Sequence, residues 1–266
     1  MPEQLELTLT APKSVVRGEF FFLSLTLRNR GDVASTVSAR LNLFESDLFI
    51  QADLPDGRHV RLQGHTQIDS LPNLVELGPG EQIESSCSVF FTDCGFAFDT
   101  AGAYKLRAEY YPHLGKPPIF SNYAEVTILP ESDESQRERS AQTMTEEFGQ
   151  GVACGEADGV EDKFEALVTQ FPDSQAATVA GMVLAVSKAR SAESPDAQKA
   201  IGTHLQHAAE RDSPHQVARL AMTIAPPAPS PDDPLLGALD VFLEAASQEH
   251  EDMQAIQESL RKTRPN

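Results

Sequence analysis

The sequence contains no tryptophan and only three cysteines. It also has no apolar run long enough to cross a membrane. Residues 176–186 are the most apolar stretch of the C-terminal half, far short of the ~20 residues that a membrane helix needs. Residues 1–10 show no basic segment followed by an apolar core, so they do not resemble a secretory signal. We therefore expect a soluble cytoplasmic protein with no membrane partner.

Three cysteines in 266 residues are too few for a disulfide framework, and an odd number leaves at least one of them unpaired within the chain. Cys87 falls on the same face of a predicted strand as Val89 and Phe91, which favours a buried free thiol. A disulfide between Cys87 and Cys94 stays open at this point, since it depends on how the chain turns between them.

Basic side chains are also scarce, and the formal net charge is −19. Residues 1–130 carry 16 acidic and 10 basic side chains, a net of −6, and residues 131–266 carry 24 and 11, a net of −13. A surface this acidic repels phosphate backbones, which argues against nucleic acid as a partner. A basic protein remains a possible partner, although a solvated surface explains the charge more simply.

Alternating apolar residues dominate the first half of the chain, which holds 14 of the 18 phenylalanines and tyrosines. This period of two predicts short β-strands, at 5–9, 21–29, 39–44, 86–91, 104–111 and 122–128. Turn sequences separate them, at 30–32, 55–58, 77–81 and 101–102. Since no helical pattern intervenes, we expect residues 1–130 to form an antiparallel β-sandwich. The inward face of one central strand is predicted to consist of Tyr104, Leu106, Ala108 and Tyr110.

Four segments of this half together resemble bacterial immunoglobulin-like domains: 17–32 (RGEFFFLSLTLRNRGD), 77–81 (LGPGE), 101–110 (AGAYKLRAEY) and 121–128 (SNYAEVTI). The resemblance covers residues 3–129 and implies an immunoglobulin-like sandwich, an architecture that hosts many unrelated functions. Residues 46–62 are similar to a hairpin of the intracellular proteinase-inhibitor type, with an Asp-Gly turn after an aromatic-rich strand. That hairpin lacks tryptophan here, and no inhibitory loop can be assigned.

The apolar period changes to that of helices after residues 129–135. Ser135 with Glu138, and Asp158 with Glu161, fit capping boxes at two helix starts. We expect residues 131–157 to form a linker with a helix, and residues 158–266 to form an α-helical domain.

Residues 158–225 are predicted to form two helical hairpins, which leaves two architectures open. They resemble tetratricopeptide-like stacks, although the diagnostic positions of that repeat are not visible, and a plain helical bundle fits equally well. Helix starts are indicated by the Ser-Pro pairs at 194–195 and 213–214. Residues 225–234, with five prolines in ten, predict a stiff connector before a last amphipathic helix.

Catalytic motifs are missing from the sequence: it has no glycine-rich phosphate loop, no Gly-x-Ser-x-Gly and no His-Glu-x-x-His. Residues 149–159 contain glycine and Cys154, but no strand precedes them, so a loop is expected rather than a nucleotide site. Cys154 has no neighbouring histidine to activate it, and Glu156 and Asp158 disfavour its thiolate. We predict no catalytic or cofactor-binding residue, and an exposed thiol at Cys154.

A histidine cluster is the one metal alternative that the sequence offers. His204 and His207 lie three positions apart on a predicted helix, and His215 follows the next turn. With Glu210 or Asp212 as a fourth ligand these side chains could hold zinc, although the spacing is permissive rather than diagnostic. We assign no metal site and leave zinc binding by this cluster open.

Two well-patterned cores without a catalytic motif indicate a non-enzymatic protein–protein interaction or adaptor protein. The alternative is an inhibitor or regulated substrate of a protease, with residues 129–140 and 225–234 as the segments that a protease could reach. A zinc-dependent enzyme is a third and weaker alternative.

The polar segment after residue 129 is expected to act as a hinge or as an exposed helix start. If instead the helices pack on the sandwich, Phe20 and Phe22 would supply the contact.

Overall fold

The computed structural model describes residues 4–67, 73–113, 115–191, 197–210, 214–224, 234–247 and 252–263. Within these residues ten strands precede eight helices. The strands are β1 (Leu5–Thr10), β2 (Ser14–Val16), β3 (Phe22–Asn29), β4 (Ser35–Ser38), β5 (Leu48–Asp53), β6 (His59–Leu62), β7 (Leu74–Leu77), β8 (Gln82–Ser88), β9 (Gly102–Tyr110) and β10 (Ile119–Leu129). The helices are α1 (Glu134–Thr143), α2 (Glu146–Cys154), α3 (Glu161–Gln170), α4 (Gln175–Ser191), α5 (Ala197–Ala209), α6 (Pro214–Ile224), α7 (Pro234–Ser247) and α8 (Asp252–Thr263).

The strands form three sheets that share one apolar core. The first sheet has the order β1-β3-β8, the second β2-β10-β9-β5-β6, and a small third pairs β4 with β7. Buried side chains of the first two sheets meet in a single cluster, which includes Leu7, Leu25 and Leu106. The predicted inward face of β9 is buried as expected, at Tyr104, Leu106, Ala108 and Tyr110.

Two details of the strand prediction are wrong. Residues 39–44 form no strand, because the Asn42 side chain accepts hydrogen bonds from the backbone N–H groups of Phe44 (3.0 Å) and Glu45 (3.2 Å) and turns the chain. Ala39, Leu41 and Leu43 are buried nonetheless. The pairing is also not wholly antiparallel, since β2 runs parallel to β10 after the chain crosses between sheets.

The helices build a second core that includes three aromatic residues of the β region. Phe20, Phe90 and Phe91 belong to the same buried cluster as the helical side chains. The ring centroids of Phe90 and Phe148 are 6.1 Å apart, and the Phe148 ring stacks on Phe164 at 4.8 Å. Phe20, which the sequence leaves without a partner, is therefore buried against the helical region.

Helices α6 and α8 pack on β8, at one edge of the β1-β3-β8 sheet, and α6 also contacts β3. Arg219 of α6 forms an ion pair with Glu84 of β8 at 2.5 Å, and both side chains are largely buried. Ser259 of α8 accepts a hydrogen bond from the backbone N–H of Glu84 at 2.8 Å. The helices thus cover the β8 side of the first main sheet, whereas the outward residues of β1, such as Glu6 and Thr8, are exposed.

Both predicted capping boxes are misplaced. Helix α1 is capped by Asp133, whose carboxylate accepts from the backbone N–H of Gln136 at 2.8 Å, so it starts before the predicted Ser135–Glu138 pair. Helix α3 has Val160 at its N-cap and no side-chain cap. Asp158 instead accepts a hydrogen bond from the Ser187 hydroxyl at 2.8 Å, a long-range contact that local sequence does not reveal.

Helices α1 and α2 occupy most of residues 131–157 and contact the β region closely. Arg139 forms an ion pair with Glu19. Thr143 donates to the carbonyl of Gly18 at 2.6 Å, and a Cβ at Gly18 would lie 2.5 Å from the Ser140 hydroxyl oxygen. Helix α1 is thus attached to the β region by polar contacts and close approach, whereas α2 adds the apolar contact between Phe148 and Phe90.

Several predicted features lie outside the described residues: the proline-rich connector from 225 to 233, the 194–195 pair, Ser213 and Asp212. Pro214 does begin α6. In the part of the chain that the structure describes, no helix combines the length and the apolar character needed to span a membrane.

Candidate functional site

The cysteines do not form a reactive site. Cys87 is buried, Cys94 is exposed and Cys154 is partly exposed, and all three are free thiols, so Cys87 and Cys94 are not paired. Burial raises the pKa of the Cys87 thiol to about 12. The Cys154 sulfur lies 3.6 Å from the Thr66 hydroxyl, a weak contact that supplies no base.

The two histidines on α5 line a groove. His204, His207 and Met182 are among the walls of this groove, which has a volume of about 350 Å³ and lies between α3, α4 and α5. Partial burial and the charges of His207 and Lys188 lower the pKa of His204, which favours its neutral form. No group of three potential metal ligands is found among the described residues; the side chain of His215 lies outside them.

A wider cleft of about 600 Å³ lies between the β region and helices α4 and α6. Phe22, Ser24 and Leu220 are among its walls. The Glu19 and Arg219 side chains at its walls are committed to ion pairs with Arg139 and Glu84. Those two charges serve the contact between strands and helices, and they offer no acid–base pair for catalysis.

The most distinctive surface is the outer face of the five-stranded sheet, opposite its buried side. We define this outer face by eight residues: Phe49, Gln51, Arg61, Lys105, Arg107, Glu109, Phe120 and Tyr123. Phe120 is 40% exposed and Tyr123 is 52% exposed. Helices α6 and α8, which cover β8 of the first sheet, leave these two rings in contact with water.

A β-bulge puts the two exposed rings side by side. Phe120 pairs with Glu109, and Tyr123 pairs with Arg107, so three steps along β10 match two steps along β9. In a regular strand, residues an odd number of steps apart point to opposite faces. The extra residue of the bulge therefore turns both rings to the outer face.

Side chains within the bulge fix its shape. The Ser121 hydroxyl accepts from the backbone N–H of Ala108 at 2.9 Å, which replaces a ladder hydrogen bond. The Asn122 side chain bonds both backbone groups of Leu9 in β1, accepting from its N–H at 2.9 Å and donating to its carbonyl at 3.0 Å. These bonds anchor the bulge to both main sheets.

Cations stack on the exposed rings. The Arg107 guanidinium carbon lies 4.5 Å from the Phe120 ring centroid and 5.1 Å from that of Tyr123. The Lys105 ammonium lies 4.2 Å from the Tyr123 centroid. Arg107 also donates through Nε to the carbonyl of Ser121 at 3.1 Å, so its side chain is oriented before any partner binds.

A carboxylate, Glu109, organises the other half of the outer face. It accepts hydrogen bonds from Arg61 (two at 3.1 Å), Gln51 (3.0 Å) and the Tyr111 hydroxyl (2.6 Å). Burial raises the pKa of Glu109, but these hydrogen bonds outweigh it and the pKa falls below its ordinary value. Arg61 in turn lies 3.4 Å above the Phe49 ring. Sequence alternation predicts Glu109 at the surface, yet it is only 7% exposed.

The strand alternation places Lys105, Arg107 and Glu109 on the outward side of β9, but it assigns no side to the other residues of the outer face. The sequence assigns no catalytic, cofactor or metal residue and does not indicate the outer face as a site. The signal that could have found it is the pair of aromatic residues flanking Ser121-Asn122, opposite a strand of alternating charge. Chemically, such a face can bind and orient another molecule, because arginine and aromatic residues are enriched in interface cores.

Comparisons with known proteins leave the family open. No family model matches the sequence, and no curated protein matches it. Among solved structures, a β-glucosidase from Listeria innocua is 15% identical with a TM-score of 0.27, covering 48% of this chain and 17% of that chain. The CARDB domain of a Pyrococcus furiosus protein is 14% identical with a TM-score of 0.27, covering 48% of this chain and 89% of that one.

A β-1,2-glucanase from Parabacteroides distasonis is 11% identical with a TM-score of 0.26; the match covers 98% of this chain and 34% of the glucanase. The chain thus matches only small parts of both glycosidases. Similarities this low carry no argument about activity or detailed fold, and the site has to be interpreted from its own residues.

Proposed function

We propose that this protein is a non-enzymatic interaction or adaptor protein that binds a partner protein through the outer face. The observation that carries the proposal is the bulge in β10, which exposes Phe120 and Tyr123 together beneath oriented cations. The strand pattern and the resemblance of residues 3–129 support an immunoglobulin-like sandwich as the rigid platform.

Preorganisation is the physical argument for binding. Immobilising a flexible side chain at an interface costs about 0.5–1.5 kcal/mol, and a side chain already held in place avoids much of that cost. Arg107 is held by two rings and a carbonyl, and Arg61 by Phe49 and Glu109. Arginine and tyrosine are also the residue types that most often dominate binding energy at protein interfaces.

The helical region contributes to the proposed function by covering part of the other main sheet. Helices α6 and α8 occupy the outer side of β8 and so favour partner binding on the five-stranded sheet. We include in the proposal that these helices form a bundle or a hairpin array of the predicted kind. Their acidic surface offers a second contact for a basic partner.

A protease is one class of partner to test, because residues 46–62 resemble the proteinase-inhibitor type. That segment contains β5, β6 and the turn between them. Asp56 and Arg58 pair at 2.6 Å across the turn. A tight turn held by an ion pair is a poorer protease substrate than an extended loop. Residues 46–62 therefore fit an inhibitory hairpin better than a cleavage site.

Recovery of partners from the native host by the tagged full-length chain tests the proposal. We expect a specific partner to be recovered by the wild type and lost with the double variant Phe120→Ala, Tyr123→Ala. Leu74→Ala is the matched control, since Leu74 is 46% exposed on β7, outside the outer face. Recovery that the double variant leaves unchanged contradicts the proposal, as does turnover of a small substrate by the purified chain.

A further inference from the structure

We infer that the segment docking on the outer face presents a carboxylate side chain to Arg107 and Lys105, flanked by apolar or aromatic side chains. This inference rests on the proposed function and specifies the chemistry of the partner. The inference is based on two cations that form no ion pair among the described residues, Lys105 and Arg107, and on the exposed rings beside them.

Some charged side chains on and around the outer face form ion pairs, and others do not. Three cations and three carboxylates lie there: Arg61, Lys105, Arg107, Asp53, Glu109 and Glu125. Glu109 is bound by Arg61, and Asp53 lies 2.7 Å from His59 Nδ1. Among the described residues, no carboxylate lies within ion-pair distance of Lys105 or Arg107.

Lys105 shows this most clearly, because the strand register places it between two carboxylates. Asp53 of β5 and Glu125 of β10 are its direct cross-strand neighbours. Its ammonium nevertheless lies on the Tyr123 ring, 4.2 Å from the centroid. The Lys105 cation therefore lies on the Tyr123 ring, which the Arg107 guanidinium also approaches, at 5.1 Å from the centroid.

Arg107 has the geometry to accept that anion. Among the described residues, only its Nε takes part in a hydrogen bond, which it donates to the carbonyl of Ser121. A guanidinium carries five N–H donors in a planar fork, which matches a carboxylate in a bidentate pair. The Phe120 and Tyr123 rings and the Ser121 carbonyl hold the guanidinium in place, and its two Nη groups donate to no other described residue.

Apolar groups complete the match. Phe120 and Tyr123 leave much of their rings exposed, and Leu129, 41% exposed, lies further along the same side of β10. A single carboxylate bound here interacts mainly with the nearby cations and rings, because physiological salt screens charges beyond about 8 Å. The net charge of −19 of the whole chain therefore repels it only weakly. A polyanion such as nucleic acid meets the whole acidic surface and is repelled.

Three capped peptides of equal length test the inference. Each carries a central Tyr-X-Tyr in a Gly-Ser background, with X as glutamate, glutamine or lysine. Binding to the full-length chain is followed by NMR chemical shifts. We expect the glutamate peptide to bind at least about tenfold more tightly than the glutamine peptide, as befits a charge-assisted pair. Arg107→Gln should abolish that difference, while Lys199→Gln, the same charge change at an exposed position of α5, should preserve it.

The outcomes separate this inference from the proposed function. Equal binding of the glutamate and glutamine peptides, lost in Tyr123→Ala, would overturn the carboxylate inference while leaving the outer face as a docking surface. Absence of binding by all three peptides at millimolar concentration would also overturn it, and partner recovery then judges the proposed function by itself. Unfolding midpoints of Arg107→Gln and Lys199→Gln verify that the variants are folded.

Discussion

At the scale of single residues, the outer face is held together by a carboxylate that the folded chain keeps ionised. Glu109 accepts hydrogen bonds from Arg61, Gln51 and Tyr111. It also lies beside the bulge, since it pairs with Phe120. Loss of its charge would free Arg61 and loosen the arrangement of the rings and cations around it.

Glu109→Gln should therefore destabilise the protein in a pH-dependent way. Hydrogen bonds to charged groups contribute about 1.5–3 kcal/mol, and we expect a loss near the lower end at pH 7 because Arg61 is partly exposed. The folded pKa of Glu109 lies below its unfolded value, so its contribution is present above the unfolded pKa and lost as pH falls through the folded one.

Urea unfolding of wild type and Glu109→Gln at several pH values measures this effect. The difference should shrink below about pH 4, the range of an ordinary glutamate pKa. Glu125→Gln, an exposed carboxylate on β10, is the matched control and should change stability little. A difference for Glu109→Gln that is independent of pH would show that its charge does not organise the outer face.

At the scale of elements, the contact between α2 and the β region reverses a usual substitution rule. Gly149 lies within α2, and a Cβ there would overlap the Phe91 ring. In a helix interior, alanine is normally about 1 kcal/mol more favourable than glycine. At this position the alanine methyl would instead force the helix away from Phe91.

Gly149→Ala should lower the free energy of unfolding, by roughly 1–3 kcal/mol as for other overpacked sites. Gly202→Ala in α5 is the matched control, because a Cβ there meets no atom within 4 Å and should stabilise the chain. Thermal unfolding of the two variants gives opposite shifts if α2 is docked as described. A stabilising Gly149→Ala would mean that α2 does not press on Phe91.

The strands were predictable from sequence where one face is buried and the other is not. Period-two alternation located β3, β9 and β10 for this reason. The same signal failed at 39–44, where alternating residues are buried but the backbone turns at Asn42. Alternation reports burial of side chains, whereas a strand also needs a hydrogen-bonded neighbour.

The outer face could not be predicted from sequence, because its geometry depends on distant contacts. Asn122 bonds Leu9, 113 positions away, and Glu109 bonds Arg61, 48 positions away. The β10 bulge likewise appears only in the register between β9 and β10. Local patterns place Lys105, Arg107 and Glu109 on the outward side of β9, and the pairing of strands determines which residues they meet.

At the scale of the whole molecule, the β region and the helices share buried side chains. Phe20, Phe90 and Phe91 lie in the helical cluster, and the Arg219–Glu84 pair joins α6 to β8. We therefore expect the full-length chain to unfold in one calorimetric transition, and fragment 1–130 to expose these rings and associate. Two transitions of the full-length chain, each at the unfolding temperature of a soluble fragment, would contradict this expectation and indicate two independent domains.

The central claim is that a partner protein binds the outer face. Hydrogen–deuterium exchange of the full-length chain, with and without its recovered partner, tests this most directly. Binding on the outer face predicts slower exchange in peptides spanning β9 and β10, including the bulge between Phe120 and Tyr123. Protection confined to helices α3 to α6, with β9 and β10 unchanged, would contradict the account.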